Sequence, residues 1–357
     1  MTEGEVVVTI GVDSHKATHT VVAVDEVGRV LGEKKVRATS EGHLALAQWS
    51  ARFGEVVFAL EDCRHLTRRL EADLLRAGHV VVRVPTRLMA QARRSAREPG
   101  KSDPIDAEAV ARAALRYPDL PRAELDGPAR EVKLLSDHRR DLVNQRTRIA
   151  AQARWHLHEL DPALEIPSRG LRRKTVVAQL QQRLAGVPGV VARITRDLLV
   201  RCEQLNAQIA GLDAELRDLV RALAPSLLAI PGCGVLSAAV IIGETAGVHR
   251  FRSRAAFARF TGTAPVPVWS GASAGKVRLN RGGNRGMNCA LHNIAITQAR
   301  RGVGTGAAYI TKQTERGKDT TAALRLLRRR LSDTVFTALR SDQATADNKA
   351  ITLPQAA

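Results

Sequence analysis

Aromatic side chains are scarce in this sequence, where Phe, Trp and Tyr together make up 3% of 357 residues. Proteins that grip single-stranded nucleic acid by stacking its bases on aromatic rings usually carry more of them. If the protein binds nucleic acid, the composition therefore favours contacts with the backbone and recognition of shape.

Cysteine and long apolar runs are also lacking. The four cysteines, Cys63, Cys202, Cys233 and Cys289, have neither the spacing of a zinc knuckle nor the pattern of a disulfide framework, so a reducing cytoplasm fits. The longest apolar runs, such as residues 237–243, are too short to span a bilayer. The N-terminus is acidic and soon strand-like, which is not the pattern of a signal peptide.

Acidic residues are in deficit, with 36 Asp and Glu against 55 Lys and Arg, and the formal net charge is +19. A protein this basic attracts polyanions, and each phosphate that it neutralises releases counterions from a nucleic acid. A solvated basic surface and binding to acidic membranes are the alternatives. The length predicts two or three domains.

Residues 5–125 have the pattern of an α/β domain. Runs rich in β-branched residues and bounded by turns predict five strands, at residues 6–12, 19–24, 30–38, 56–60 and 79–84. Helices are predicted from Ser40 onward, between the fourth and fifth strands up to Gly78, and after the fifth strand. The order βββαβαβα is that of a ribonuclease-H-like fold.

Residues 126–224 contain few turn signals, and charged residues alternate with Leu, Val, Ile and Ala. Leucines and isoleucines fall near heptad spacing in two stretches, which are separated by a break at Pro162, Pro167 and Gly170. This pattern predicts two long helices in a coiled-coil hairpin or an oligomerisation arm, and an ordinary helical bundle is an equal alternative.

Residues 225–340 are a third predicted unit, mainly α, which is Gly-rich and basic at first and helical from about Asn288. Residues 230–234 indicate either a helix-hairpin-helix turn, whose glycines let backbone N–H groups approach a phosphate, or a plain connector between helices. The polar segment 341–357 is predicted to be a disordered tail.

Four carboxylates are predicted to meet in the N-terminal domain. Asp13 ends the first strand and Glu61 ends the fourth, and these strands are neighbours in a ribonuclease-H-like sheet. Asp103 and Asp106 lie three residues apart, with Asp103 expected as the N-cap of a helix that starts at Pro104. Singly, such acids are often caps or solvated residues, but the set predicts a metal site.

Clustered carboxylates repel one another, and a divalent cation removes that repulsion. Oxygen ligands suit Mg²⁺ or Mn²⁺. Two such ions about 4 Å apart stabilise the attacking and leaving oxygens in phosphoryl transfer. The four acids are therefore predicted to be both the metal ligands and catalytic residues.

Two groups of motifs extend this interpretation over residues 7 to about 335. The N-terminal group contains Gly11-Val12-Asp13-Ser14-His15-Lys16, Glu61 and Lys101-Ser102-Asp103-Pro104-Ile105-Asp106-Ala107. The C-terminal group contains residues 230–234, 260–265, 270–271 and 279–285. In these motifs the chain resembles the DEDD transposases of the insertion-sequence one-hundred-and-ten family, some of which are bridge-RNA-guided recombinases.

The resemblance implies a RuvC-like domain, a coiled-coil arm and a C-terminal transposase domain with a catalytic serine. The family pattern there is commonly Ser-Ser-Gly, and this sequence has Trp269-Ser270-Gly271, so the nucleophile is carried over onto Ser270. Ser273 is a nearby, poorer candidate, and a plain loop serine is the alternative for Ser270. The implied chemistry is a covalent phosphoserine link to DNA, assisted by metal in the RuvC-like domain.

Basic residues and glycines near these motifs are the predicted nucleic-acid contacts. They are Lys16, Lys101, Gly232, Gly234, Lys276, Arg278, Arg281 and Arg285. For the charged residues a solvated face is the alternative, and the pair His15-Lys16 is as readily a surface pair after a strand.

The predicted function is that of a transposase that cuts and rejoins double-stranded donor and target DNA. A structured guide RNA and a dimer or tetramer are expected partners, the RNA from the resemblance alone. The alternatives are a RuvC-like nuclease that uses water as the nucleophile and a non-enzymatic nucleic-acid-binding scaffold. Because the arm separates Asp106 from Ser270, we also hypothesise that different subunits supply the acids and the serine.

Overall fold

The computed structural model of the protein describes residues 7–86, 88, 102–120, 122–280 and 282–352. The chain forms two compact units, Met1–Asp126 and Gly127–Ala357. The predicted boundary between residues 224 and 225 does not separate compact units, because Val132 and Leu216 of the predicted arm share one hydrophobic core with Leu227 and Ile241.

A five-stranded sheet forms the centre of the first unit. Its strands are β1 (Val8–Ser14), β2 (Thr18–Val24), β3 (Val30–Arg37), β4 (Val56–Glu61) and β5 (Val80–Val84). They lie in the order β3-β2-β1-β4-β5, with β1 to β3 antiparallel and β4 and β5 parallel to β1. This mixed sheet and the helices that connect its strands confirm the predicted ribonuclease-H-like fold.

Helices cover both faces of the sheet. On one face, α1 (Ser40–Ser50) and α2 (Arg64–Arg76) pack against the even-numbered residues of β1 and β4. On the other, α3 (Asp103–Arg116) packs against the odd-numbered residues of these two strands. Side chains alternate along a strand, so this division fixes which residues can meet α3.

The second unit begins with two long antiparallel helices, α4 (Pro128–Leu160) and a later helix, α6 (Val190–Leu223). A shorter helix, α5 (Lys174–Leu184), packs at the end of the pair near Leu157. Along the pair, the two helices share three apolar clusters, which contain Val132 and Leu216, Leu142 and Leu205, and Leu157 and Leu199. The two predicted long helices therefore bury their apolar stripes against each other within one chain.

Six helices and a small hairpin complete this unit. They are α7 (Pro225–Leu228), α8 (Val235–Thr245), α9 (Arg254–Phe260), β6 (Pro265–Pro267), β7 (Val277–Leu279), α10 (Arg285–Arg301), α11 (Gly306–Glu315) and α12 (Thr320–Thr352). Phe257, Leu291 and Val335 are among the residues of their common core. Within the described ranges, no helix combines the length and the apolar character that a bilayer span requires.

The structure corrects the prediction of a disordered tail for residues 341–352, which continue α12. Asp342 is 8% exposed, and its Oδ1 accepts a hydrogen bond of 3.1 Å from the backbone nitrogen of Ser226. The next residue, Gln343, donates to Asp347 one turn further along the helix. These contacts stabilise a segment whose composition by itself indicates disorder, and residues 353–357 of the predicted tail lie outside the described part of the chain.

Candidate catalytic site

Asp13 and Glu61 lie at the ends of neighbouring parallel strands, on the face of the sheet that α3 covers. The register pairs Val12 of β1 with Leu60 of β4, so that the next residues along the two strands are Asp13 and Glu61. Both have odd numbers, and the odd-numbered residues of both strands face α3. The fold therefore directs both carboxylates to the same side, as the sequence predicts.

The start of α3 lies directly on β1 and supplies the other two acids. A Cβ atom at Gly11 would lie 2.1 Å from the carbonyl oxygen of Ala107 and 2.5 Å from the backbone nitrogen of Ala111. Only a residue without a side chain permits this approach. Asp103 and Asp106 occupy the first turn of the helix, where its dipole favours negative charge, and Asp106 is buried.

The helix starts one residue earlier than the sequence predicts. Ser102 is the N-cap and Asp103 is the first helical residue, whereas the prediction made Asp103 the cap. Lys35 and His15 hold the Asp103 carboxylate, so it does not serve the backbone N–H groups of the first turn. Asp103 is therefore a member of the acidic cluster rather than a cap.

An imidazole and an ammonium group connect the acids. His15 Nε2 lies 3.0 Å from Asp13 Oδ2 and 3.3 Å from Asp103 Oδ1, and Lys35 Nζ donates to Asp103 Oδ2 at 3.0 Å. Lys35 comes to this place because the sheet pairs Asp13 with Thr20 and Thr20 with Lys35 across three strands. Cross-strand partners point to the same face, so a residue of β3 reaches a site built on β1.

The electrostatics of the cluster indicate an excess of negative charge at its buried side. Burial raises the pKa of the Asp13 carboxyl, and the charges of Asp106 and Asp103 raise this pKa further, whereas His15 lowers it. The hydrogen bond from Lys35 holds the pKa of Asp103 below its usual value. A cation beside Asp13 would stabilise its charged form.

The donor set fits a divalent metal ion. Asp13, His15 and Asp103 each offer one ligand atom, and these atoms lie within 4.8 Å of one another. On the same face Thr20 Oγ1 is buried and has no hydrogen-bond partner among the described residues. Carboxylate and hydroxyl oxygens are ligands for hard divalent ions.

Glu61 is outside this group of three, but the structure brings it close to Asp13. Burial, together with the charges of Glu61 and Asp13, raises the pKa of the Cys63 thiol to about 11. Both carboxylates therefore act on one thiol. Of the four predicted acids, Asp13 interacts electrostatically with both Asp103 and Asp106, and Glu61 ends the neighbouring strand β4.

Sequence reasoning missed the role of Lys35 and left His15 between a nucleic-acid contact and a surface residue. The spacing Asp13-x-His15 at a strand end is the signal that points to His15. Nothing in the sequence points to Lys35, since its place depends on the pairing of β3 with β2.

Ser270 lies on an exposed hairpin of the second unit. β6 and β7 pair through residues such as Val266 and Arg278, and Val268 and Lys276 continue the ladder with a backbone bond of 2.9 Å. Ser270 follows in an extended conformation and precedes a 3₁₀ turn, Gly271–Ser273. Ser270, Lys276 and Arg278 are all exposed, so the hairpin presents the predicted nucleophile beside two of the predicted basic contacts.

Of the two predicted contact glycines, Gly232 has a packing role and Gly234 does not. Gly232 has a φ of +81°, and a Cβ there would lie 3.1 Å from the carbonyl oxygen of Ile294 in α10. Gly283 packs on Gly262, whose Cα would lie 2.2 Å from an added Cβ. Gly234 is exposed, caps α8 and has open space around it.

The remaining predicted contacts lie apart in the sequence. Lys16 is exposed in the turn between β1 and β2, and Arg285 is exposed at the start of α10. Lys101 and Arg281 lie outside the described residues.

Comparisons with known proteins bear on both units. The DEDD transposase family of IS110 elements, described as "Transposase", matches residues 10–162. The family described as "Transposase IS116/IS110/IS902 family" matches residues 224–311.

Relatives of similar length resemble most of the chain. The insertion element IS900 42 kDa protein of Mycobacterium paratuberculosis is 28% identical, over 90% of this chain and 93% of the relative. The insertion element IS116 44.8 kDa protein of Streptomyces clavuligerus is 26% identical, over 93% and 94%. The insertion element IS110 43.6 kDa protein of Streptomyces coelicolor is 27% identical, over 92% and 93%.

Among solved structures, T. thermophilus RuvC in complex with a Holliday junction substrate aligns with 31% of this chain and 94% of its own chain. The TM-score is 0.26 and the sequence identity is 17%.

The mixed sheet, the acids on its α3 face and the DEDD family match define a transposase with a ribonuclease-H-like N-terminal fold. Such a transposase cuts and rejoins DNA, and its fold implies a bound divalent metal. With both family matches and relatives over nine tenths of its length, the chain belongs to the IS110 family of insertion-sequence transposases.

Proposed function

We propose that this transposase joins DNA strands through a covalent Ser270–DNA intermediate, with divalent metal held by the four predicted acids and a structured RNA selecting the DNA. The observation that carries this proposal is the meeting of Asp13, Asp103 and Asp106 on one face of the sheet, beside the strand end that bears Glu61. Acids gathered at a strand end and a helix start repel one another, which is unfavourable for folding unless a cation joins them.

Asp13, Glu61, Asp103 and Asp106 would hold Mg²⁺ or Mn²⁺, and His15 and Lys35 would orient Asp13 and Asp103. The ion supplies charge stabilisation for the oxygens that attack and leave the phosphorus. The predominance of oxygen donors favours Mg²⁺ or Mn²⁺ over softer metals.

In the proposed cleavage step, the Ser270 hydroxyl oxygen attacks a backbone phosphorus, and the bond from this phosphorus to one deoxyribose oxygen breaks. The serine loses its proton, and the leaving sugar hydroxyl gains one. In the joining step, a sugar hydroxyl of another strand attacks the phosphoserine and restores the serine. Each step replaces one phosphodiester bond with another, so the cycle needs no external energy source.

The metal part of the proposal is tested by titrating the full-length protein with Mn²⁺ and measuring bound ion by electron paramagnetic resonance. We expect Asp13→Asn to weaken binding at least about tenfold, because it removes a ligand that carries charge. Glu26→Gln is the matched control, since Glu26 is exposed beyond the opposite end of β2 and the variant loses the same charge. Equal Mn²⁺ affinity in the Asp13→Asn variant and the wild type would remove Asp13 from the site.

The serine part is tested with labelled DNA that spans one end of the insertion element. Protein–DNA adducts are separated on a denaturing gel, and protease digestion identifies them. The wild type and Ser273→Ala should form the adduct, whereas Ser270→Ala should not. A Ser270→Ala protein that still traps DNA contradicts the assignment, and cleavage by the wild type without any adduct supports a nuclease that uses water.

The guide RNA is an expectation from the resemblance to bridge-RNA-guided recombinases, and the net charge of +19 is compatible with an RNA partner. RNA that copurifies with the protein from cells should map to a structured segment next to the reading frame. Efficient recombination by protein and DNA alone, after ribonuclease treatment, would remove RNA from the proposal.

A further inference from the structure

Among the large apolar side chains that the structure describes, Trp269 is the most exposed, at 87%. It precedes Ser270, where the hairpin ends and the 3₁₀ turn begins. The phenylalanines of the second unit behave differently, since Phe251, Phe257 and Phe260 pack ring against ring. An indole this exposed contributes little packing within its own chain, and its place next to Ser270 leaves its ring accessible to a ligand of that loop.

The hairpin belongs to a segment of one charge sign. Between Glu244 and Glu315 the sequence has no acidic residue and eleven Lys and Arg residues. Lys276 and Arg278, on the strand opposite Trp269, are exposed and form no ion pair with the described residues. This charge favours a polyanion as the occupant of the surface, and it disfavours a second copy of the same basic segment.

We propose that the Trp269 indole stacks on an unpaired DNA base next to the phosphate that Ser270 attacks, and so positions this phosphate. The inference rests on the proposed function of Ser270, and it makes Trp269 a positioning residue. Stacking on a single ring is compatible with a chain of few aromatics, because one base is held and the basic groups hold the backbone.

The geometry of adjacent residues suits this arrangement. Consecutive Cα atoms lie about 3.8 Å apart, so a base on Trp269 and a phosphate at Ser270 belong to one nucleotide or to neighbours. Ser270 is extended, with φ −143° and ψ 164°, so its side chain and that of Trp269 leave the backbone on opposite sides. One side of the hairpin then contacts a base while the other contacts the phosphate.

The test compares full-length variants on two DNAs of equal length, one a continuous duplex and one with two unpaired nucleotides at the cleavage position. Trp269→Ala should bind the second DNA about tenfold more weakly than the wild type and the continuous duplex equally well. Trp269→Phe should stay within about threefold of the wild type on both, because a smaller ring still stacks. The matched control is Trp155→Ala, whose side chain is 74% exposed on α4 and should not affect either DNA.

A spectroscopic arm separates stacking from a structural role. In a Trp49→Phe/Trp155→Phe protein the only indole is Trp269, since the sequence has three tryptophans. Its fluorescence should be quenched by the DNA with unpaired nucleotides and much less by the continuous duplex. Quenching that does not distinguish the two DNAs, or equal loss of binding to both in Trp269→Ala, overturns the proposal.

The same arm distinguishes this inference from the proposed function. Ser270→Ala should keep the fluorescence quenching and lose the covalent adduct. If Ser270→Ala still forms the adduct and the quenching persists, Trp269 stacks on a base but Ser270 is not the nucleophile. If Trp269→Ala instead changes the mass of the protein in solution and leaves DNA binding unchanged, the indole is a contact between copies and the proposal is wrong.

Discussion

Gly11 shows how one residue places a catalytic group that lies almost a hundred positions further along the chain. Its missing side chain lets the backbone of α3 lie on β1, and α3 carries Asp103 and Asp106. The carboxylates provide the chemistry, but the distance between helix and strand decides whether they meet. A change at Gly11 should therefore affect both stability and metal binding.

We predict that Gly11→Ala destabilises the protein by about 2 kcal/mol, because the added methyl group meets backbone atoms that have no freedom to rotate away. Mn²⁺ binding should weaken as α3 moves. The measurements are urea unfolding followed by circular dichroism and Mn²⁺ titration.

The control for this variant is Gly211→Ala, since Gly211 lies in α6 with no atom within 4 Å of an added Cβ. Alanine is the better helix former, so this variant should gain about 1 kcal/mol of stability. If Gly11→Ala unfolds at the same urea concentration as the wild type, the close approach of α3 to β1 does not require glycine at position 11.

At the scale of elements, a buried polar chain connects three parts of the first unit. His19 on β2 contacts His43 on α1 through ring nitrogens 3.3 Å apart, and His43 Nδ1 lies 2.7 Å from Asp73 Oδ2 on α2. Both histidines are almost fully buried and their rings are stacked. This row of polar contacts connects β2 with α1 and α2 on the face opposite the acids. Its role is therefore structural, and His19 is a member that titrates.

We predict that this chain makes stability depend on pH. Burial, together with the charges of His43 and His15, lowers the pKa of His19 to about 4. Between pH 6.5 and 4 the unfolded chain binds a proton that the folded protein does not, so the free energy of unfolding falls as the pH falls. The loss through His19 approaches about 3 kcal/mol at pH 4.

The measurement is urea unfolding from pH 4 to 8 for the wild type and His19→Gln, which does not titrate. The variant should be less stable at pH 7 and should lose less stability than the wild type on acidification. His65→Gln removes an exposed histidine of α2 and should keep the wild-type pH dependence. Parallel curves for the wild type and His19→Gln would contradict the prediction.

At the scale of the whole molecule, charge and the long helices have separate consequences. The apolar stripes of α4 and α6 are buried against each other, with Leu142, Leu205 and Ile209 in one cluster. The heptad pattern therefore does not by itself supply a surface for oligomerisation. A dimer or tetramer remains a prediction, which mass measurements with and without DNA test.

The net charge of +19 predicts strongly salt-dependent binding of duplex DNA. If the protein contacts six or more phosphates, raising the salt concentration from 50 to 200 mM should weaken binding at least about a thousandfold. The double variant Lys276→Gln/Arg278→Gln should reduce the slope of log affinity against log salt by about 2. An unchanged slope in this variant would show that the hairpin does not contact the backbone.

How much of the protein the sequence predicts depends on the range of the interaction concerned. The strands, the two long helices and the positions of Asp13 and Glu61 followed from local patterns, because hydrophobic period and turn residues act over a few positions. The tail and the start of α3 did not, since Asp342 and Asp103 have partners far away in the chain.

The sequence by itself determined the residue types of the site, the order of the elements and the basic character of the molecule. Only the tertiary structure decided that α3 lies directly on Gly11, that Lys35 and His15 contact the acids, and that Trp269 is left exposed. The physical reason is that these features arise from strand pairing and close packing between distant segments, which no local pattern of residues encodes.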